Sequence, residues 1–515
     1  MLDVLVVGSG YAGASLAAAV AGAGRVCIVE RGSRWLPGSF PETLFGLSRT
    51  YASTRNPKGL WAMRLGRGTG LAFANAVGGS SVVNYGITVR PDDHVFDGWP
   101  ISRVALDVAF ERALAVLRPC ANPRAEDLGD KAFLDRVAPG TREDILNTID
   151  WSTCTDCGRC VPGCNVGAKR SLDQTYLPLA LARGAELRVE TEVTHFAARP
   201  GGGYRVFLRR SGTEGPVEEV ETRHLVLAAG TLGTLDLLHR VRAAFPLGPR
   251  FGSQMSLNGD GMAFLYDVAD LSSHSGAPIS TAARLRFVDE EGRPRTLYAM
   301  SGRVPKAIMP FAARTMALGV EGLAWLTREG GVEERARQPG SAVEALGSLR
   351  RRVRDLLRAD ASGAFSRTFM YKLDGEDSAS GMARFGEGGA VVDWPCDYLD
   401  EPVNRFADAT LQRWAAMAGG RVVGNVARLP GMRSFSVHPL GGCAMGRDVS
   451  EGVVDEVGRV LRPEGGLYPD LRVADGSIMR GALGVPPSLT IAALADHIGR
   501  DLARALEAGY AAPVR

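Results

Sequence analysis

Val4 to Val7 form an apolar run that breaks into G-S-G-Y-A-G at Gly8 to Gly13, and an alanine-rich stretch of helical character follows. A buried strand, a glycine turn and a helix in that order leave few folds open, because they begin a βαβ nucleotide-binding unit. Gly8 permits the sharp turn, Gly10 lets a pyrophosphate approach the main chain, and Gly13 lets helix and strand pack closely. Free amides at the helix start supply an anion site. Val26 to Val29 then give a second strand ending at Glu30. A carboxylate there accepts both hydroxyls of an adenosine ribose and repels a 2'-phosphate. The motif by itself does not separate FAD from NAD.

At 515 residues the chain exceeds one domain of usual size, so two connected domains are expected. Its 64 glycines and 28 prolines are spread along the chain, which points to tight turns and backbone contacts with a ligand, not to a disordered tail. The net charge of +3 comes from interspersed charges and gives no footprint for nucleic acid. Ser348 to Arg358 is the densest basic stretch, with Leu349, Val353, Leu356 and Leu357 at helical spacing, and reads as a solvated helix face. No stretch resembles a signal peptide or reaches the roughly 20 apolar residues of a transmembrane helix, so a cytoplasmic protein is expected.

Cys154, Cys157, Cys160 and Cys164 have the C-x2-C-x2-C-x3-C spacing of a bacterial ferredoxin run, with Asn165 where proline would follow. Gly158, Pro162 and Gly163 allow the turns that would bring four thiolates together. An iron-sulfur cluster, a zinc site and a metal-free structural loop all stay open, and the compact spacing is less usual for zinc. A cluster would relay single electrons outward, which favours a dehydrogenase over an oxygen-using oxidase. Near the other end, V-H-P-L-G-G places His438 between a probable strand and a glycine-rich turn. An imidazole titrating near neutrality can take or lend a proton there.

Larger blocks carry a family resemblance. Glu30-Arg31-Gly32, Gly66 to Gly70, Gly78-Gly79-Ser80-Ser81 with Asn84, Arg90-Pro91 and Trp99-Pro100 resemble the N-terminal pattern of the glucose-methanol-choline (GMC) oxidoreductases. The likeness continues through Leu227 to Thr231, Asn258-Gly259-Asp260, His438 to Gly442, Asp475-Gly476-Ser477 and Ser488 to Ile491. Gly167-Ala168-Lys169 and Tyr176-Leu177-Pro178 resemble the bacterial cholesterol-oxidase-like branch. The resemblance implies FAD, with Gly78, Gly79, Ser80, Ser81 and Asn84 along pyrophosphate and flavin, Asp475 near the ribityl and pyrophosphate portion, and Val193 meeting adenine through its main chain. It also implies an α/β fold: a discontinuous FAD-binding Rossmann-like domain from residues 1–100, 165–260 and 425–515, and a substrate domain on an antiparallel sheet over 261–424. Residues 101–164 would form a connecting, cysteine-rich segment. Within this plan Ala185 to Thr194 and Tyr204 to Leu208 read as paired strands, Arg223 to Ala228 as a buried one, and Arg284 to Val288 with Arg295 to Met300 as a hairpin.

The same resemblance casts His438 as the catalytic group, accepting a hydroxyl proton or hydrogen-bonding the substrate oxygen while hydride leaves for flavin N5. Cholesterol-oxidase-like members read G-V-N-P before the terminal helix, whereas this chain reads Gly484-Val485-Pro486-Pro487. Pro486 has no side-chain donor or acceptor, so a second polar group beside the flavin is missing at that position. Tyr371 and Lys372 are candidates to supply the proton chemistry instead. Relatives acting on steroids also use an acidic residue in the substrate domain, which the sequence does not locate. Trp61, Phe73, Ile308, Met309, Phe311, Met316, Trp325, Phe365, Phe369, Met370 and Tyr371 are apolar pocket candidates. They suit a hydrophobic small molecule such as a steroid, terpenoid, alicyclic compound or long-chain alcohol. The expected activity is FAD-dependent oxidation of such an alcohol or ketone-level compound, with an external electron acceptor. An isomerase, a desaturase or enone reductase, and a flavin/iron-sulfur electron-transfer protein are the alternatives.

Overall fold

The computed structural model describes residues 1–127, 129–268, 279–302, 304, 309–310, 312–314, 316–317, 342–358, 362–423 and 433–511. The opening strand β1 (Leu2–Val7) is buried at every position, α1 (Tyr11–Val20) follows the glycine turn, and β2 (Val26–Val29) returns parallel to β1. The sheet around them runs in the order Thr191–Ala198, Tyr204–Arg210, Glu218–Leu227, β1, β2, Glu186–Arg188. Leu467–Val473 joins parallel to the end of Glu218–Leu227, and Arg459–Leu461 pairs with it in turn. Strands from the first, middle and last parts of the chain thus share one Rossmann-like sheet, and the discontinuity expected from the sequence is present.

Small residues set the spacing of the helical layer. A Cβ at Gly13 would lie 1.9 Å from the Gly8 carbonyl oxygen, and one at Gly499 would lie 2.8 Å from that of Leu16. Only glycine therefore lets α1 approach both its own strand and the terminal helix, Ser488–Ala511.

The second sheet runs Arg421–Val423, Gly261–Tyr266, Phe369–Gly375, Pro294–Gly302, Thr281–Val288, Arg142–Asp144, with every pair antiparallel. The expected hairpin forms, from Thr281 opposite Ser301 to Val288 opposite Pro294. Arg142–Asp144 comes from the segment read as a connector and adds an edge strand beside Thr281–Ala283. The strand Phe369–Gly375 alternates as a pleated strand must. Phe369, Tyr371 and Leu373 pack with Leu411 and Trp414 of the helix Pro402–Ala418, whereas Met370, Lys372 and Asp374 occupy the other face.

The basic stretch forms the helix Ala342–Leu357 with an unexpected orientation. Leu349, Val353 and Leu357 are exposed, while Arg351 turns inward to chelate Asp267 at 2.7 and 2.8 Å. Among the described residues no helix is long and apolar enough to cross a membrane.

Candidate active site

The glycine turn at the head of α1 is shaped for a ligand that must touch backbone. α1 has no side-chain cap on its N-terminal amides, and Gly10 and Gly79 bring two main chains together: a Cβ on Gly79 would sit 2.8 Å from Gly10 Cα. Gly78 and Gly79 both have positive φ, 87° and 56°. The Gly78 amide donates to Ser9 Oγ at 3.0 Å, and Ser81 Oγ donates to the Gly78 carbonyl at 2.7 Å. Ser80 follows Gly79 in the short turn of helix Gly79–Val82. Asn84 Nδ2 donates to the Tyr11 hydroxyl at 2.9 Å, which ties this loop to α1.

Glu30 is buried at the tip of β2. One of its carboxylate oxygens accepts from the Ser9 amide (2.9 Å) and hydroxyl (2.7 Å), and the other accepts from the Gly32 amide (2.7 Å). Val193 is buried in the edge strand Thr191–Ala198, opposite Leu208. Asp475 is buried, with Ser477 and Thr234 donating to its carboxylate, and burial pushes its carboxyl up. Thr490, in the first turn of the terminal helix, has a buried hydroxyl with no partner among the described residues. Uncapped amides, two glycine main chains in near contact and an unspent hydroxyl make a cradle that fits FAD. The adenine-side acid, Glu30, and the glycines would hold its nucleotide half, and Asn84, Asp475 and Thr490 are the residues that would hold the remainder.

His438 belongs to a buried charge cluster. Its Nδ1 lies 2.9 Å from Asp374 Oδ1 and 3.6 Å from Asp260 Oδ2. Lys372 Nζ donates to Asp260 and to Asp374 Oδ1, the latter at 2.9 Å. The main chain is pinned as well: the Val437 amide donates to Asp260 Oδ2 at 2.7 Å and the His438 amide to Ser436 Oγ at 2.8 Å. Burial alone would draw the Lys372 ammonium down, yet Asp260 and Asp374 outweigh it and hold it above its ordinary value. Burial pushes the Asp374 carboxyl up, but Lys372 and then His438 outweigh it and hold it below the usual carboxylate range. Asp260, Asp374 and His438 are, among the described residues, the one trio of acidic, thiol or imidazole groups whose ligand atoms gather within 4.8 Å. The Lys372 ammonium already bridges the two carboxylates, so a cation is supplied by the chain itself.

Asn258-Gly259-Asp260 joins this cluster to the loop that precedes the terminal helix. Asn258 Oδ1 accepts from the amides of Leu483 (2.8 Å) and Gly484 (3.2 Å), and its Nδ2 donates to the Val485 carbonyl at 2.9 Å. Pro486 is buried directly after this clamp. One triplet therefore positions both His438, through Asp260, and the loop at 486, through Asn258.

Of the sequence candidates, Lys372 shares Asp260 and Asp374 with His438, and Tyr371 lies on the opposite face of the strand. Tyr371 lies fully buried on the helix-facing side of its strand, 5.3 Å from Trp414 between ring centroids. Asp374, which the sequence reading did not single out, contacts His438, and period-2 alternation from Lys372 was the available signal. Met316, Phe365 and Met370 form an apolar cluster with Met262, Met309 and Tyr85 packed against it. Met370 shares a strand face with Lys372, so this cluster adjoins the charged site. Trp61 packs with Phe40 and Leu60 instead, Phe73 lies beneath Arg31 and Arg64, and Ile308, Phe311 and Trp325 fall outside the described residues.

Cys154, Cys157, Cys160 and Cys164 are free thiols lining one small cavity with Lys169. Lys169 Nζ donates to the carbonyls of Val82 (2.7 Å), Asn84 (2.8 Å) and Cys160 (3.0 Å). A tetrahedral zinc site with Zn–S of about 2.3 Å needs sulfurs roughly 3.8 Å apart. No three of these four sulfurs lie within 4.8 Å of one another, so a compact zinc tetrahedron is not assembled.

A Rossmann-like sheet drawn from both ends of the chain, a glycine cradle and an antiparallel sheet carrying a charged cluster to His438 define a nucleotide-cofactor oxidoreductase. The chain belongs to the GMC oxidoreductase family, whose N-terminal part it matches over residues 2–244 and whose C-terminal part over residues 424–495. It is 26% identical to a cholesterol oxidase of Acinetobacter baumannii, over 96% of this chain and 93% of that one. It is 25% identical to a long-chain-alcohol oxidase of Arabidopsis thaliana, over 98% of this chain and 68% of that one. The solved structure of pyridoxine 4-oxidase from Mesorbium loti shares the fold with a TM-score of 0.59 at 15% identity, covering 97% of this chain and 99% of that chain. FAD-dependent oxidoreductase chemistry on an organic substrate follows from the family.

Proposed function

We propose that this protein oxidises a hydrophobic alcohol, of the sterol, terpenoid, alicyclic or long-chain class, to its carbonyl compound. Bound FAD supplies the acceptor for the hydride. The observation that carries the reading is His438, held through Nδ1 on buried Asp374, with no described residue bonded to Nε2. His438 Nε2 would take the hydroxyl proton, and FAD, when bound, would supply the hydride acceptor, so one proton, one hydride and one carbonyl account for every atom and electron. The apolar cluster of Met316, Phe365 and Met370 supports a hydrophobic substrate, as do the names of the cholesterol and long-chain-alcohol relatives.

The test is anaerobic mixing of the flavin-loaded protein with cholesterol, a monoterpene alcohol, cyclohexanol and 1-dodecanol. Bleaching of the visible flavin absorbance by at least one, with the carbonyl product recovered, is expected. As a dehydrogenase, the protein then turns over with a dye acceptor and not in air alone. Pro486, which lacks a polar side chain, favours one other reading, an internally balanced isomerisation. Product formation with no acceptor and no net bleaching would identify that reaction.

The thiol cavity supports a second component, an iron-sulfur cluster. Lys169 is a buried cation whose side chain meets carbonyls and no carboxylate among the described residues, and a cubane spreads its thiolates across four irons rather than one metal. Iron and acid-labile sulfide in protein prepared without oxygen, lost in Cys157→Ser, would establish it. Intact thiols with neither element would remove it.

A further inference from the structure

The cluster around His438 contains more than alcohol oxidation by one imidazole requires. Asp374 is fully buried, and its Oδ1 receives both His438 Nδ1 and Lys372 Nζ at 2.9 Å. Its Oδ2 is also buried and has no hydrogen-bond partner among the described residues. A buried carboxylate left half-satisfied is costly unless the site uses it.

Two carboxylates and one ammonium leave a single negative charge beside the imidazole. Asp260 and Asp374 are the charged groups that meet His438, with Lys372 bridging them, and they arrive from two directions: Asp260 from the turn before the strand Gly261–Tyr266, Lys372 and Asp374 from the strand Phe369–Gly375. When Nε2 takes the substrate proton the buried cluster becomes neutral. Without Asp374 the same proton would leave a surplus positive charge among buried side chains.

The tautomer is set by the same contact. An ionised carboxylate only accepts, so Nδ1 must carry a proton, and in the neutral imidazole Nε2 is then the free acceptor. Pro486 offers nothing to share this work, and the loop that holds it is clamped by Asn258 rather than by a side chain at 486.

We propose that Asp374 is the positioning residue of the site: it fixes His438 with Nδ1 protonated and Nε2 facing the substrate hydroxyl, and it balances the charge when Nε2 takes that proton. The catalytic consequence rests on the alcohol-oxidation reading; the tautomer does not. Asp260 braces the main chain at 437 and Lys372 holds Asp374 in place, so both act one step further away.

Two measurements on the flavin-loaded protein decide it. With imidazole nitrogens labelled with 15N, and His438→Gln used to assign one signal among the seven histidines, His438 is expected as the Nδ1–H tautomer. An Nε2–H tautomer in the wild type overturns the proposal, whatever the substrate. With an alcohol that bleaches the wild-type flavin, Asp374→Asn is expected to slow bleaching about a thousandfold and to alter its pH profile, with FAD content retained and KM changed little. Asp374→Glu should recover part of the rate. Bleaching within threefold of wild type and an unchanged pH profile in Asp374→Asn overturns it. If no alcohol bleaches the wild type, the oxidation reading fails while the tautomer measurement still stands.

Discussion

Lys372 Nζ lies between Asp260 and Asp374, whose side chains are 4% and 0% exposed, so its removal strands two buried anions. Breaking a buried pair from one side costs about 3–5 kcal/mol, because the remaining charge keeps its desolvation penalty. Lys372→Met should therefore lower the midpoint of chemical denaturation markedly, while Lys372→Arg should retain most of the stability. Equal midpoints for wild type and Lys372→Met would show the carboxylates to be paired elsewhere. At this scale the sequence was partly legible. His438 stood out by its glycine-rich setting and Lys372 by its neighbourhood, but Asp374 lies 64 residues from His438 and Asp260 lies 112 from Lys372. No local pattern links such partners. Tyr371 could have been set aside from alternation alone, since adjacent strand residues face opposite ways.

The β1–α1–β2 unit was readable because each glycine has one local job: Gly8 makes its turn at positive φ and Gly13 packs against the Gly8 carbonyl. Gly79 has positive φ and faces Gly10 Cα, so Gly79→Val should strip the purified protein of FAD, measured by its visible absorbance after gel filtration. Retention of stoichiometric FAD in that variant would place the cofactor elsewhere. Gly499→Val should force α1 and the terminal helix apart, costing about 1–3 kcal/mol by overpacking, read from thermal or chemical unfolding. The hairpin Thr281–Gly302 was legible from its polar connection between apolar strands. The strand Arg142–Asp144 was not, because three charged residues carry no apolar alternation and gain their place only by pairing with Thr281–Ala283. The helix Ala342–Leu357 was legible as a helix but not in its orientation. Pairing of Arg351 with buried Asp267 decides which face turns inward.

Asp92 connects the parts of the molecule. It follows the loop of Gly78 to Asn84 and binds Arg284, Arg286 and Thr296 of the second sheet. Burial pushes its carboxyl up, but hydrogen bonds from Arg286 and Thr296 and the charge of Arg284 outweigh this and hold it at about 2. A carboxyl depressed on folding adds stability that is present above its unfolded value near 3.8 and is lost as pH falls toward 2. Wild type should accordingly lose stability through that window, and Asp92→Asn should lose less there while being weaker at neutral pH. Parallel acid profiles for the two proteins would contradict the assignment.

On this reading His438 and a flavin meet across these two sheets. Anaerobic stopped-flow of flavin-loaded wild type and His438→Ala with the same hydrophobic alcohol tests it most directly. Bleaching by wild type, slowed by about 10²–10⁴-fold in the variant at equal FAD content, is predicted. Wild-type protein that neither carries nor takes up FAD, or a His438→Ala variant that bleaches as fast as wild type, would contradict it.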